Sequence, residues 1–199
     1  MLHFPTQPSA AAISDGVRRM ARIRRLSRCM RWLLAATAVL FVVLAVAIWF
    51  LSSDAALTRS LHALLGITDP SRAPALQLGP GYRVAGFSLL GLQLALVLRG
   101  IAHAHAMFGD FARGEVLTSA TARRLRGIAL LITLFALCSP LVKMLLVLLF
   151  TWNAPGEPHM LIHIQLEDIL LGLLGGLLFA LAWAMEEAAH VAEENRGFI

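Results

Sequence analysis

Charge is scarce in this chain: 15% of its residues are Asp, Glu, Lys or Arg, against about a quarter in ordinary soluble domains. With 58% of residues hydrophobic, that scarcity excludes a water-soluble globular fold and points to a membrane protein. Lysine is scarcer still, since 16 of the 17 basic residues are arginine and Lys143 is the single lysine; with the wealth of Ala and Leu, this suggests a prokaryote with a GC-rich genome. Cysteine is limited to Cys29, in a basic segment, and Cys138, inside an apolar run, so no disulfide is expected. Acidic side chains are missing from the depth of every long apolar run, which disfavours proton-coupled carriers and pumps that need a buried carboxylate. No hydrolase elbow, phosphate loop or dinucleotide fingerprint is present, and the chain reads as non-enzymatic and free of cofactor. The net charge of +5 does not imply direct nucleic-acid binding, because the arginines sit beside apolar runs, where they orient helices in a membrane.

A membrane span needs about 20 mainly apolar residues to cross about 30 Å of hydrocarbon at about 1.5 Å per residue. Four runs meet that length: 32–51, 84–104, 128–150 and 166–185. The expected fold is an all-α, integral membrane four-helix bundle, with residues 1–31 a cytoplasmic basic tail and 32–199 the membrane domain. The first run is about twice a usual signal-peptide core and is expected to be a retained anchor. Outside the runs, Lys and Arg number seven in 1–31, three in 52–83, four in 105–127, none in 151–165 and one after 185. Twelve of these fifteen lie on the side shared by both termini, so both termini are expected to be cytoplasmic and the protein to reside in a bacterial inner membrane. Trp32 and Trp183 mark that boundary, and Trp49, Tyr82 and Trp152 the outer one.

Before the first run, Ile13, Val17, Met20, Ile23, Leu26 and Met30 recur every three or four residues among six arginines. This pattern predicts a basic amphipathic helix lying on anionic lipid. Leu57, Leu61, Leu64 and Leu65 predict one short helix in the first outer loop.

Within the spans, Gly172, Gly176 and Ala180 fall at four-residue intervals and predict a close helix-packing face, either within the chain or between copies in a homo-oligomer. Gln93 lies near mid-depth, and its amide is expected to face the bundle interior and bond a neighbour. Pro140 removes a backbone donor and predicts a kink, with Ser139 able to satisfy one freed group. Two cations lie inside spans. Arg99 is near the inner boundary, where it can snorkel; Lys143 is within reach of Asp168 or Glu167 and is expected to form an ion pair, the alternative being an anionic ligand from the outer side.

On the outer side, His159, His163 and Glu167 fall at i, i+4 and i+8, with Glu157 nearby, a set that suits Zn or Cu but lacks a cysteine or a third histidine. No metal is assigned to it, and a metal sensor is the weakest of three readings. The fourth span is expected to continue as an acidic helical arm, 186–199, through Glu193, Glu194 and Asn195. This arm emerges on the side of Arg113, Arg123, Arg124 and Arg126, so it either pairs with those arginines or docks a cytoplasmic partner.

Three stretches carry a resemblance: Phe111-Ala-Arg-Gly-Glu-Val-Leu-Thr118 followed by Ala122-Arg-Arg-Leu-Arg-Gly-Ile128, then Ser139-Pro140-Leu141, and finally Glu187-Ala-Ala-His-Val-Ala-Glu-Glu-Asn195. Together they resemble a family of small bacterial membrane proteins, the domain of unknown function 2975. In that family a Gly-Glu-aromatic-Thr turn leads into an Arg-rich helix start; here Leu117 stands in place of the aromatic. The resemblance implies a four-span inner-membrane protein without a known activity, and a small helix-turn-helix regulator as its partner. The leading expectation is thus interaction or signalling through the cytoplasmic face. The alternative is a small permease, or a lipid- or solute-binding protein, with a cavity near Lys143.

Overall fold

The computed structural model describes residues 10–64, 76, 78–115, 118–152 and 164–196, with 10–20, 192–193 and 195–196 described as backbone only. The elements in chain order are α1 (Ala10–Val46), a π-helical turn (Ala47–Leu51), α2 (Asp54–Leu64), α3 (Pro80–Arg113), α4 (Ser119–Thr151) and α5 (Leu166–Arg196). Among the described residues every regular element is helical. Four helices are long and apolar enough to cross a membrane, covering 21–51, 80–113, 119–151 and 166–191. Each expected span lies inside one of them, so the chain is a multi-pass helical membrane protein.

Local chemistry sets the boundaries. Pro80 opens α3 at its first turn, where a missing amide costs nothing, and Gly114 closes it with φ at 90°, a left-handed conformation that suits glycine. The Gly114 amide bonds back to Phe111 O at 3.1 Å, and the Glu115 amide to Asp110 O at 3.0 Å. Thr118 caps α4, its hydroxyl accepting from the Thr121 amide at 3.3 Å. The short outer-loop helix foreseen from the leucines is α2, with Leu57 and Leu61 buried.

One expectation needs correction here. The basic segment does not form a separate helix on the surface: α1 runs unbroken from Ala10 to Val46. Residues 17–46 contain neither glycine nor proline, so nothing interrupts the hydrogen-bond ladder at residue 31. Its arginines therefore continue the axis of the first span. Pro140 lies inside α4, which is helical on both sides of it.

Each spanning helix packs on its neighbours in sequence, with α4–α5 the most extensive interface, followed by α3–α4 and α1–α3. The α4–α5 seam has a seven-residue period. Asp168, Gly175, Ala182 and Ala189 are the buried positions of α5, facing Ala122, Ala129, Ala136 and Lys143 of α4. Such a repeat keeps a seam on one face of two gently supercoiled helices, and small residues let the backbones approach. The four-residue face assigned from sequence is thus only partly the packing face: a Cβ on Gly172 would touch Ala136 at 3.8 Å, but one on Gly176 would meet nothing within 4 Å. Gly176 and Ala180 are exposed.

Contacts place the N-terminal half of α1 and the C-terminal part of α5 at one end of the molecule, the terminal end, where Arg31 meets His105 and Arg126 meets Glu186. At the opposite end Trp49, Leu57, Leu61, Val142, Leu146 and Phe150 form the buried core cluster. Trp49 is 4% exposed, so it belongs to this core and is no boundary anchor. Its indole donates to Arg83 O, while Arg83 donates to Trp49 O at 3.0 Å and to Ser52 O at 3.2 Å and pairs with Asp54. This clasp satisfies carbonyls where the helix ends. Trp32, Trp152 and Trp183 are exposed, as are long runs of Leu and Val on α1 and α5, the surface a helix presents to lipid.

Candidate functional site

Polar chemistry gathers at two places, one near each end of the bundle. In the half away from the termini, the Lys143 ammonium lies on α4 and the Asp168 carboxylate two residues into α5, with side chains 8% and 6% exposed. Lys143 Nζ donates to Asp168 Oδ2 at 3.1 Å, to Asp168 Oδ1 at 3.4 Å and to Gln165 Oε1 at 2.8 Å. The Gln165 amide donates to Asp168 Oδ2 at 3.1 Å, and the Ser139 hydroxyl is a further partner of that carboxylate. Of the two acids expected as partners for Lys143, the structure brings in Asp168; Glu167 is exposed. Ser139 turns to the carboxylate, an alternative to the carbonyls freed by Pro140. Charge and hydrogen bonds are mutually satisfied, as burial of an ion pair requires.

At the terminal end, Asp110 is 1% exposed. Its carboxylate pairs with Arg113 one turn on and with Arg124 of α4. Arg124 Nη1 also donates to Ala106 O at 2.6 Å, and the Thr121 hydroxyl donates to Glu115 O at 3.3 Å. Arg113 extends further to Glu115 at 3.6 Å. These bonds hold the α3–α4 turn, with Gly114 supplying its left-handed corner. Two of the arginines expected to meet the acidic arm are therefore taken by Asp110, an acid that stands outside the long apolar runs and carries no sequence signal beyond its spacing of three from Arg113.

The acidic arm is helical to Arg196. Among the described residues it reaches the arginines once, through Glu186 and Arg126 at 3.9 Å, and Arg126 also lies over the Phe179 ring with its guanidinium carbon 5.1 Å from the centroid. Glu194 pairs with His190 on its own helix at 3.4 Å. Arg123, Glu187 and Arg99 are exposed. Glu193 and Asn195 lie on the helical arm, their side chains outside the description, and His159 and His163 lie outside the described residues altogether. Among the described residues no group of three His, Cys, Asp or Glu side chains could hold a metal ion.

Gln93 meets its expectation in part: its amide nitrogen is buried, but it has no hydrogen-bond partner among the described residues. Apolar clefts lie above and below its level. One of about 250 Å³ is lined by Trp49, Leu57, Phe87 and Leu90 among others, and one of about 320 Å³ by Leu34, Val97, Ile128 and Phe135 among others.

Comparison of the chain with protein-family models, with curated proteins and with solved structures finds no match.

Proposed function

We propose that this chain is a non-enzymatic protein of the bacterial inner membrane, with both termini cytoplasmic, whose cytoplasmic face serves interaction or signalling. One observation carries the reading. α3 and α4, of 34 and 33 residues, are each about 50 Å long and exceed a hydrocarbon core of about 30 Å. Their excess at the terminal end is fixed by the buried Asp110 between Arg113 and Arg124. The result is a rigid platform that displays Arg123, Glu187 and the acidic arm to solvent. A rigid charged surface suits recognition, because little ordering is lost on binding. The resemblance to the domain of unknown function 2975 family supports a small helix-turn-helix regulator as the partner.

The test is a crosslinking pull-down from native membranes, comparing the full chain with one truncated after Met185 and shown to insert equally. Capture of a helix-turn-helix regulator by the full chain alone supports the reading. Recovery of only lipid and the chain itself from both overturns it.

A second reading, a small permease or solute-binding protein, is favoured by the orphaned amide of Gln93, since a buried polar group without a partner is costly unless water or a ligand visits it. Under that reading Gln93→Leu abolishes flux in proteoliposomes and leaves partner capture intact. Lys143, with its donors directed at Asp168 and Gln165, lies outside the lining of the two clefts beside Gln93.

A further inference from the structure

The terminal end carries a second polar surface that the platform does not use. Arg28, Arg31, Trp32 and Ala35 of α1, with His105 of α3, line a cleft of about 320 Å³. Arg31 Nε donates to His105 Nε2 at 3.3 Å. That bond uses one of five guanidinium donors and leaves the two terminal amino groups of Arg31 without an acceptor among the described residues. No acid lines this cleft: Asp110, the nearest buried carboxylate in sequence, is taken by Arg113 and Arg124. Arg22, Arg24, Arg25 and Arg28 on the same helix are exposed and have no carboxylate among the described residues. Two guanidinium groups one turn apart, one of them held by a histidine, present a fork suited to a phosphate.

What lies beside the arginines identifies the source of that phosphate. Positions 28, 32, 35, 39 and 42 recur every three or four residues and share one face of α1, with 31 three residues after 28 at its edge. Down that face the side chains change from Arg28 and Arg31, through Trp32 at 77% exposed, to Ala35 and then Val39 and Val42 at 63% and 40% exposed. Cation, aromatic and aliphatic follow the order of headgroup, interface and acyl chain in one leaflet. Because α1 is continuous, residues 28 to 42 span about 21 Å, close to half of a bilayer of roughly 40–45 Å with its headgroups.

We propose that this cleft is a binding site for the phosphate headgroup of an acidic phospholipid in the leaflet on the terminal side, with its acyl chain along Ala35, Val39 and Val42. Arg28 and Arg31 hold the phosphate, His105 is a positioning residue for Arg31, and Trp32 sits at the glycerol level.

The test uses the full chain in a neutral detergent and native mass spectrometry with phosphatidylglycerol, phosphatidylcholine and inorganic phosphate as probes. Saturable binding of phosphatidylglycerol is expected, with phosphatidylcholine at least about tenfold weaker and no competition from millimolar inorganic phosphate. Arg28→Gln with Arg31→Gln weakens phosphatidylglycerol at least about tenfold, as loss of charge-assisted hydrogen bonds implies. Arg22→Gln with Arg123→Gln removes the same charge outside the cleft and leaves binding within about twofold. His105→Ala weakens binding, and His105→Gln, which keeps an acceptor for Arg31, restores it. Equal loss in both double variants overturns the site in favour of diffuse charge. Full competition by inorganic phosphate shows a free-phosphate site and overturns the lipid assignment. Helical content and elution volume confirm that every variant is folded; Arg28 is exposed, so its removal alone, as a single variant, reads the same effect if Arg31→Gln fails to fold.

Discussion

Among the described residues two carboxylates are almost wholly buried, and they are buried for different reasons. Asp168 meets one ammonium in the half of the bundle away from the termini, with both side chains under one-tenth exposed. Asp110 meets two guanidinium groups at the terminal end, and those side chains are 59% and 33% exposed. Around Asp168 neither partner can reach water once the other is lost. Around Asp110 the arginines reach water already. The first pair is a lock between α4 and α5 inside the membrane; the second is a clasp on the turn between α3 and α4 at the membrane surface. The same acid thus has very different energetic weight at the two ends.

Removing Asp168 should produce the largest effect. Asp168→Leu leaves Lys143 buried without a counter-charge, and breaking a buried pair in this way costs about 3–5 kcal/mol. Denaturant unfolding in detergent should show that loss, together with poor accumulation in membranes. The double variant Lys143→Met with Asp168→Leu should recover most of it, because apolar replacement of both partners is often neutral. If the double variant is no more stable than the single one, the lock is a matter of shape and charge is incidental.

The α4–α5 seam gives the next effect. A Cβ on Gly175 would lie 3.0 Å from the Thr133 amide nitrogen and 3.2 Å from Ala129 O, backbone atoms that cannot swing aside. Gly175→Ala should therefore cost about 1–3 kcal/mol, the range for overpacking, and should weaken the lock that lies one heptad away at Asp168. Unfolding that is unchanged in Gly175→Ala would show that the two helices can separate without loss.

Asp110→Asn should be milder, at about 1–2 kcal/mol for the loss of charge-assisted bonds whose donors can turn to solvent. Its signature should be local: faster amide hydrogen exchange at Gly114 and Glu115, with exchange in the α4–α5 seam unchanged. Exchange that rises equally at both ends would abolish the distinction between lock and clasp.

The unequal legibility of these regions has a physical cause. Four apolar helices are visible in the sequence as four long apolar runs, and the Lys143–Asp168 pair is visible because a lone lysine in an apolar run must find a partner and only two acids lie within its reach. Asp110 is not visible, because an acid outside the long apolar runs carries no penalty that would single it out; only the turn of the chain at Gly114 brings Arg124 back to it. The basic face of α1 is visible as a pattern, but its attitude is not. The same spacing of Arg28, Arg31 and Trp32 fits a helix lying on a membrane and one standing through it. The absence of glycine and proline from 17 to 46 is the signal that decides for the second.

The smallest effect separates two adjacent glycines. In α5 a four-residue ladder through Gly172, Gly176 and Ala180 and a seven-residue ladder through Asp168, Gly175, Ala182 and Ala189 are both present in the sequence, and they diverge by about 100° of helical turn for every seven residues set against eight. Periodicity alone cannot choose between them. The choice comes from α4, where Ala122, Ala129, Ala136 and Lys143 repeat at seven and make only the seven-residue ladder continuous across the seam. Gly176 is then left facing outward, with open space around the position of its Cβ. Gly176→Ala should accordingly change unfolding of the single chain by less than about 0.5 kcal/mol. A loss as large as that of Gly175→Ala in dilute detergent, where copies are apart, would mean that the four-residue ladder is the true intramolecular seam. A loss seen only at high protein concentration, with a change in sedimentation, would place Gly176 between two copies of the chain.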